Sequence, residues 1–351
     1  MPVQEIDAFL IGALAVPLAF IWVLRLLSQK RKADKATLKL VVAWNVVLLL
    51  SLLSVLFVSG EMYYRFGVDT TDTFSINKIS QRWFDRYYEK NNLNTRDNID
   101  YPVKRTPGKR RVTIIGDSFS AGHGIKDVED RLGNLLREIH PDWEVHIMAL
   151  NGIETDQQLE FLPKFAEVDG YEYDIVLLAY CLNDIVYLTP GMAEVYDKIY
   201  AYAENLNWLE RNSYFVNTLT FRLMAMNDPS FADYWDRLEA TYSGNTWVTQ
   251  QQNLARLQHY IESRNAQLMV ITWPFLNTLG PEYRFQEVHQ KLGAFWQAQQ
   301  VPHLDLLEVF DTYYPDQLVV NEYDAHPNEL ANAIATTSVS RFLTTNVRPT
   351  R

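Results

Sequence analysis

The sequence predicts an α/β protein: a three-layer α/β/α sandwich on a mostly parallel sheet, preceded by two transmembrane helices. Three observations lead there. From residue 111 onward, short, nearly continuous apolar runs alternate with helix-like segments, the pattern of parallel strands buried on both faces. Two long apolar runs, 8–27 and 40–59, come first, and a helix needs roughly 20 apolar residues to cross a bilayer. Polar residues also gather at the ends of the short apolar runs, where open α/β sheets form their sites.

The composition agrees. A hydrophobic share of 48% over 351 residues is ample for a packed core and argues against overall disorder. The net charge of −11 is not that of a phosphate binder, so no nucleic-acid partner is expected. Cys181 is the single cysteine, which excludes an intramolecular disulfide and any cysteine-rich metal cage. His140, His146, His259, His289 and His303 are scattered without metal-ligand spacing. No phosphate-cradling glycine loop is present, and no cofactor is expected.

The run AFLIGALAVPLAFIWVLRLL (8–27) carries Pro17, which is tolerated in a membrane helix. A cleaved signal peptide is the alternative. Glu5 and Asp7 spoil the positive start it would need, and the second run, 40–59, is too long and apolar for a surface-packed helix. Between the runs, SQKRKADKATLK (28–39) holds Lys30, Arg31, Lys32, Lys35 and Lys39 against Asp34. The positive-inside rule puts this loop in the cytoplasm and everything after about residue 60 on the other side. The expected location is the inner (cytoplasmic) membrane, with the following domain extracytoplasmic, or periplasmic in a Gram-negative cell.

Residues 61–110 read as a connector, with aromatics suited to the membrane interface and a solvated turn pair at Arg96-Asp97. The domain proper is 111–351. RVTIIGDS (111–118) reads as a strand and 127–141 as an amphipathic helix ended by proline. WEVHIMALN (143–151) is the next strand, 154–167 a helix, and YDIVLLAYCLND (173–184) a buried strand. A helix over about 249–264 precedes the strand NAQLMVITWPF (265–275). VPHLDLLEVF (301–310) supplies a short fifth strand, and 327–346 a last helix. An aromatic-rich insertion at about 186–248 interrupts the alternation. It serves either as a lid or substrate platform, or as a helical packing unit whose aromatics form its own core.

Three strand ends carry polar groups: Gly116-Asp117-Ser118, Asn151-Gly152 and Asn183-Asp184. Before the last helix comes DAHPN (324–328). Serine, histidine and aspartate are the parts of an activated nucleophile, and a glycine amide with an asparagine side chain suits an oxyanion hole. GDSFSAG (116–122), LNGIETDQQ (150–158), CLND (181–184) and DAHPN (324–328) together resemble the four blocks of the SGNH (GDSL-type) hydrolases, over residues 110–345. The resemblance implies Ser118 as nucleophile, His326 as general base and Asp324 as its orienting acid. It implies an oxyanion hole from the Ser118 and Gly152 amides and the Asn183 side chain, with Asp117 as a structural residue.

This chain departs from the family pattern in places. Cys181 stands where the third block has glycine. Asp324 precedes His326 by two residues where three is commonest, with Tyr323 at that position. Asp324 therefore meets the imidazole if the loop turns differently; otherwise a backbone carbonyl orients the ring. His123, five residues after Ser118, either borders the pocket or, as the preferred reading, is a solvated loop histidine, and Cys181 is a small buried residue. The implied function is a membrane-anchored serine esterase removing short acyl groups, acetyl foremost, from a cell-envelope or exported polysaccharide. The expected partners are an acylated carbohydrate or other small ester and the membrane. The alternatives are an O-acyltransferase using the same serine and histidine, and a non-catalytic glycan-binding or scaffold protein.

Overall fold

Valine, isoleucine and leucine dominate the runs that build the central sheet, and a strand so composed is stable only when covered on both faces. The computed structural model describes residues 6–33, 37–168 and 170–348; Glu5, and Asp34 and Lys35 of the basic loop, lie outside the described residues. The sheet is formed by β1 (Arg110–Gly116), β2 (Trp143–Ala149), β3 (Ile175–Cys181), β4 (Gln267–Trp273) and β5 (His303–Asp305). All pairings are parallel, in the order β2-β1-β3-β4-β5. A separate antiparallel pair, β6 (Val319–Asn321) and β7 (Asp324–Pro327), was not anticipated.

The helices, in chain order, are α1 (Ala8–Ala33), α2 (Leu38–Met62), α3 (Lys78–Tyr87), α4 (Ser118–Ala121), α5 (Leu132–Ile139), α6 (Thr155–Pro163), α7 (Met192–Glu204), α8 (Trp208–Asn212), α9 (Tyr214–Asn227), α10 (Pro229–Thr241), α11 (Gly244–Ser263), α12 (Gln286–Ala298), α13 (Leu307–Phe310), α14 (Pro315–Leu318) and α15 (Glu329–Asn346). Helix α5 packs on α15 and α6 on α11. The β1→β2 crossover runs one way along the sheet and the β2→β3 and β3→β4 crossovers run the other way, and right-handed connections then put these pairs on opposite faces. That is the three-layer sandwich. Because the chain steps from β1 out to β2 and back past β1 to β3, the loops after β1 and β3 diverge and leave a crevice at the switch point.

The chain divides into two compact units: Met1–Asp69, Ile76–Arg82 and Ala201–Asn227 form one, and Thr70–Ser75, Trp83–Tyr200 and Asp228–Arg351 the other. The segment expected as a connector and the aromatic insertion are each divided between them. In the first unit, α1 and α2 are long and apolar enough to cross a membrane. Their apolar side chains are largely exposed, Leu18 by 67%, Trp22 by 62% and Leu56 by 65%.

Two local expectations need correction in the second unit. The helix expected over 127–141 is a 3-10 turn, Val128–Asp130, followed by α5. Arg131 between them is extended, so that its fully buried side chain can meet Asp97 at 3.0 Å. Arg96 and Asp97 are themselves buried, not a solvated turn pair. Each spends its charge elsewhere: Asp97 also meets Arg137 at 2.9 Å, and Arg96 turns to the loop carrying Ser118.

Candidate active site

Strand β1 ends at Gly116, and the chain turns at once into the single turn α4. Asp117 caps it, its carboxylate accepting the Phe119 N–H at 3.0 Å, so Ser118 becomes the first helical residue. The turn ends at Gly122 with φ +76°, where any Cβ would stand 3.1 Å from the Arg96 guanidinium. Glycine is required there for both reasons. Arg96 donates to the carbonyls of Ala121 (3.3 Å), Gly122 and Ile125 (2.6 Å), tying down the loop after the serine. Burial, with Arg131 nearby, lowers the Arg96 pKa to about 10.

The His326 Nε2 lies 2.8 Å from Ser118 Oγ, and His326 Nδ1 lies 2.5 Å from Asp324 Oδ1. The two-residue spacing works because both residues belong to β7, where residues i and i+2 point to one face. Asp324 Oδ1 also accepts the backbone N–H of His326 at 3.1 Å. With Nδ1–H donated to the carboxylate, the Nε2 lone pair is left for the serine proton. Burial lowers the His326 pKa, nearby His123 lowers it further, and Asp324 opposes both. Burial alone would raise Asp324, yet His326 and His123 hold it well below the usual carboxylate range.

Other residues here were missed by sequence reading. Thr71 donates its hydroxyl to Asp324 Oδ2. His123 is 2% exposed, not solvated, because its ring is stacked on His326. Its Nε2–H donates to the Asp72 carbonyl at 3.0 Å and lies 3.4 Å from Asp324 Oδ2. Its Nδ1 accepts from Asn151 Nδ2 at 3.0 Å, and Tyr88 donates to Asn151 Oδ1 at 3.1 Å. A histidine five residues past the serine was a visible signal; Thr71 and Tyr88 had none, since only folding brings them near. His123, Asp324 and His326 also form a group whose potential ligand atoms lie within 4.8 Å of one another, but those atoms are engaged in the hydrogen bonds just described.

Ser118, Gly152 and Asn183 line one cavity of about 260 Å³. Gly152 sits at φ +74° in the turn after β2, and Asn183 follows β3. The Asn183 Nδ2 is 3.4 Å from Asp117 Oδ2, a loose hold that leaves its N–H groups available to the cavity. Burial raises the Asp117 pKa to about 6 and that of Glu154 to about 9. Asp184 is also pushed well up, by burial and by these two neighbours. Cys181 is fully buried and its thiol is pushed up by that burial.

The cavity is walled by Phe74, Tyr187, Tyr196, Tyr200, Tyr234 and Trp235. The aromatics of the insertion divide in what they pack against. Tyr187, Tyr196, Tyr200, Tyr234 and Trp235 face the serine, whereas Trp247 packs on Tyr242 and Phe295. Tyr202, Trp208, Tyr214 and Phe215 belong to the other unit.

A hydroxyl, an imidazole and a carboxylate in line at the switch point of a parallel sheet are the architecture of a serine hydrolase. Residues 114–334 match the GDSL-like lipase/acylhydrolase family, and the chain belongs to that family of serine ester hydrolases. No curated protein matches the chain in sequence. Among solved structures it is similar to a lipase/acylhydrolase from Enterococcus faecalis (14% identity, 69% of this chain and 99% of that one, TM-score 0.40). It is also similar to the esterase EstA from Pseudoalteromonas sp. (14%, 68% and 98%, 0.38) and to the acetyl xylan esterase AlAXEase (13%, 68% and 100%, 0.39).

Proposed function

We propose that the protein is a membrane-anchored esterase that removes short acyl groups, acetyl foremost, from a cell-envelope or exported polysaccharide. The observation that carries the chemistry is the line Asp324–His326–Ser118, with spacings of 2.5 and 2.8 Å. Ser118 Oγ attacks the ester carbonyl while His326 Nε2 takes its proton, and Asp324 steadies the imidazolium. The amides of Ser118 and Gly152 and the Asn183 side chain receive the oxyanion. The C–O bond to the alcohol breaks, His326 returns the proton to that alcohol, and Ser118 holds the acyl group. Water, deprotonated by His326, attacks the acyl-enzyme; the Ser118 Oγ–acyl bond breaks as His326 returns the proton to Oγ, and the carboxylic acid leaves.

The small cavity suits a short acyl group, and the aromatic wall suits the face of a sugar ring. Two apolar helices joined by a basic loop support anchoring in the cytoplasmic membrane with the active site outside. The same wall would also hold a sugar hydroxyl beside the acyl-enzyme, so acyl transfer to a glycan is the second reading.

The test uses the full chain in detergent. It is expected to hydrolyse p-nitrophenyl acetate and to be labelled by a fluorophosphonate, and Ser118→Ala is expected to lose the labelling and roughly 10⁴-fold or more in rate. Equal rates in both proteins overturn the assignment. A gain of acetyl mass on an acceptor glycan supplied with an acyl donor supports transfer over hydrolysis.

A further inference from the structure

The first unit contains a helix whose polarity is inside out. On α9, Asn217 and Thr218 are buried with Phe221, at 0%, 3% and 2% exposure. Leu219, Leu223 and Met226 are exposed by 46%, 52% and 73%. Their spacing of four and three residues makes them one stripe along the helix. The buried side meets polar partners: Asn217 Oδ1 accepts the Lys78 N–H at 2.8 Å, and the Asn217 carbonyl accepts from Tyr202 at 3.0 Å. A helix of a water-soluble unit carries the opposite arrangement.

This helix is also fastened to the apolar pair. Glu61, at the end of α2, accepts from Ser213 Oγ at 2.6 Å and from the N–H groups of Tyr214 and Phe215 at 3.2 and 3.1 Å. A carboxylate there satisfies donors that a helix start leaves open and favours its dipole. Phe215 lies against Gly60 so closely that a Cβ there would come within 2.9 Å. Phe57 meets Phe215 edge-on at 6.0 Å, and Phe9 of α1 meets Trp208 of α8 at 5.6 Å. Trp208 is itself 70% exposed. The apolar surface of α1 and α2 thus continues onto α8 and α9.

We propose that α8 and α9 lie in the lipid–water interface, with the Leu219–Leu223–Met226 stripe and Trp208 seated in the bilayer. This rests on α1 and α2 spanning the membrane. The occupant of the stripe is lipid because the stripe is continuous with two helices long and apolar enough to cross a membrane. An interfacial helix buries such a face some 5–10 Å into the headgroup boundary, and tryptophan is favoured at that depth.

The test is spin labelling of the full chain in phosphatidylcholine–phosphatidylglycerol vesicles, with Leu219→Cys, Leu223→Cys and Met226→Cys made singly. The buried Cys181 is checked for silence in the unmodified protein. Leu52→Cys on α2 and Leu330→Cys on α15 are the references. The expected result is an oxygen-to-nickel-chelate collision ratio at 219, 223 and 226 well above that at 330, and below that at 52. A ratio equal to that at 330, with 52 in lipid, overturns the proposal and leaves the spans standing. Loss of collisions with both reagents at the stripe shows burial against protein, a second copy included, and also overturns it. A ratio at 52 equal to that at 330 removes the spans themselves and the proposal with them.

Discussion

The imidazole rings of His123 and His326 lie face to face, 3.9 Å between centroids and 8° apart in plane. His123 is fixed at both ring nitrogens, Nε2 against the Asp72 carbonyl and Nδ1 against the Asn151 amide. It therefore acts as a positioning residue that also disfavours charge on His326.

This sets the acid limb of the rate profile. The His326 pKa is below the ordinary 6.5, so the ring stays a base as pH falls past 6.5, and kcat/KM drops only lower down. His123→Gln keeps a donor and an acceptor but removes the ring stacked on His326. Its acid limb is expected to move up toward 6.5, read from kcat/KM against pH. An unmoved limb shows that His123 only fills space.

Asp324 carries the second prediction. Asp324→Asn is expected to lose about 10⁴-fold in kcat, because an amide cannot steady the imidazolium. Thr71→Val removes only a neutral donor to Oδ2, and a hydrogen bond to a charged group is worth about 1.5–3 kcal/mol. It is expected to lose roughly 10- to 150-fold, measured as kcat on p-nitrophenyl acetate.

The oxyanion contribution of Asn183 is separable. Asn183→Ala is expected to lower kcat by about 10²–10³-fold while fluorophosphonate still labels Ser118, at a slower rate. A variant with unchanged kcat removes Asn183 from the site.

Glu154 predicts an alkaline sag in stability. Burial holds its folded pKa near 9, above an ordinary 4.5. A raised folded pKa gives stability that is complete below pH 4.5 and is lost progressively as pH rises to 9. Glu154→Gln, which retains an oxygen for the Tyr187 N–H (2.9 Å in the parent), is expected to flatten thermal midpoint against pH over that window. Parallel curves for the two proteins exclude Glu154 as the source.

Local sequence was informative wherever one segment carries its own reason. The β1 run, the Gly-Asp-Ser turn and the two long apolar runs all read correctly as elements, because strand burial, capping and helix propensity act over neighbouring residues. Asp324 is the instructive case. Its spacing from His326 departs from the family's commonest pattern, and the reason it reaches the ring is that β7 is a strand, formed by pairing with β6 and invisible in the segment alone. The solvated readings of His123 and Arg96 failed for the same reason: each is buried by residues distant in the chain.

The sequence by itself determined the five sheet strands, their layered architecture and the residue types that could do the chemistry, since periodicity and side-chain type are local properties. Only the tertiary structure decided which groups meet. It brought Thr71, Asp72 and His123 around Asp324, divided the aromatic insertion between a cavity wall and the helix beside α2, and turned the apolar face of α9 outward. Those outcomes depend on long-range closure of loops, where many weak contacts act together and no single residue announces the result.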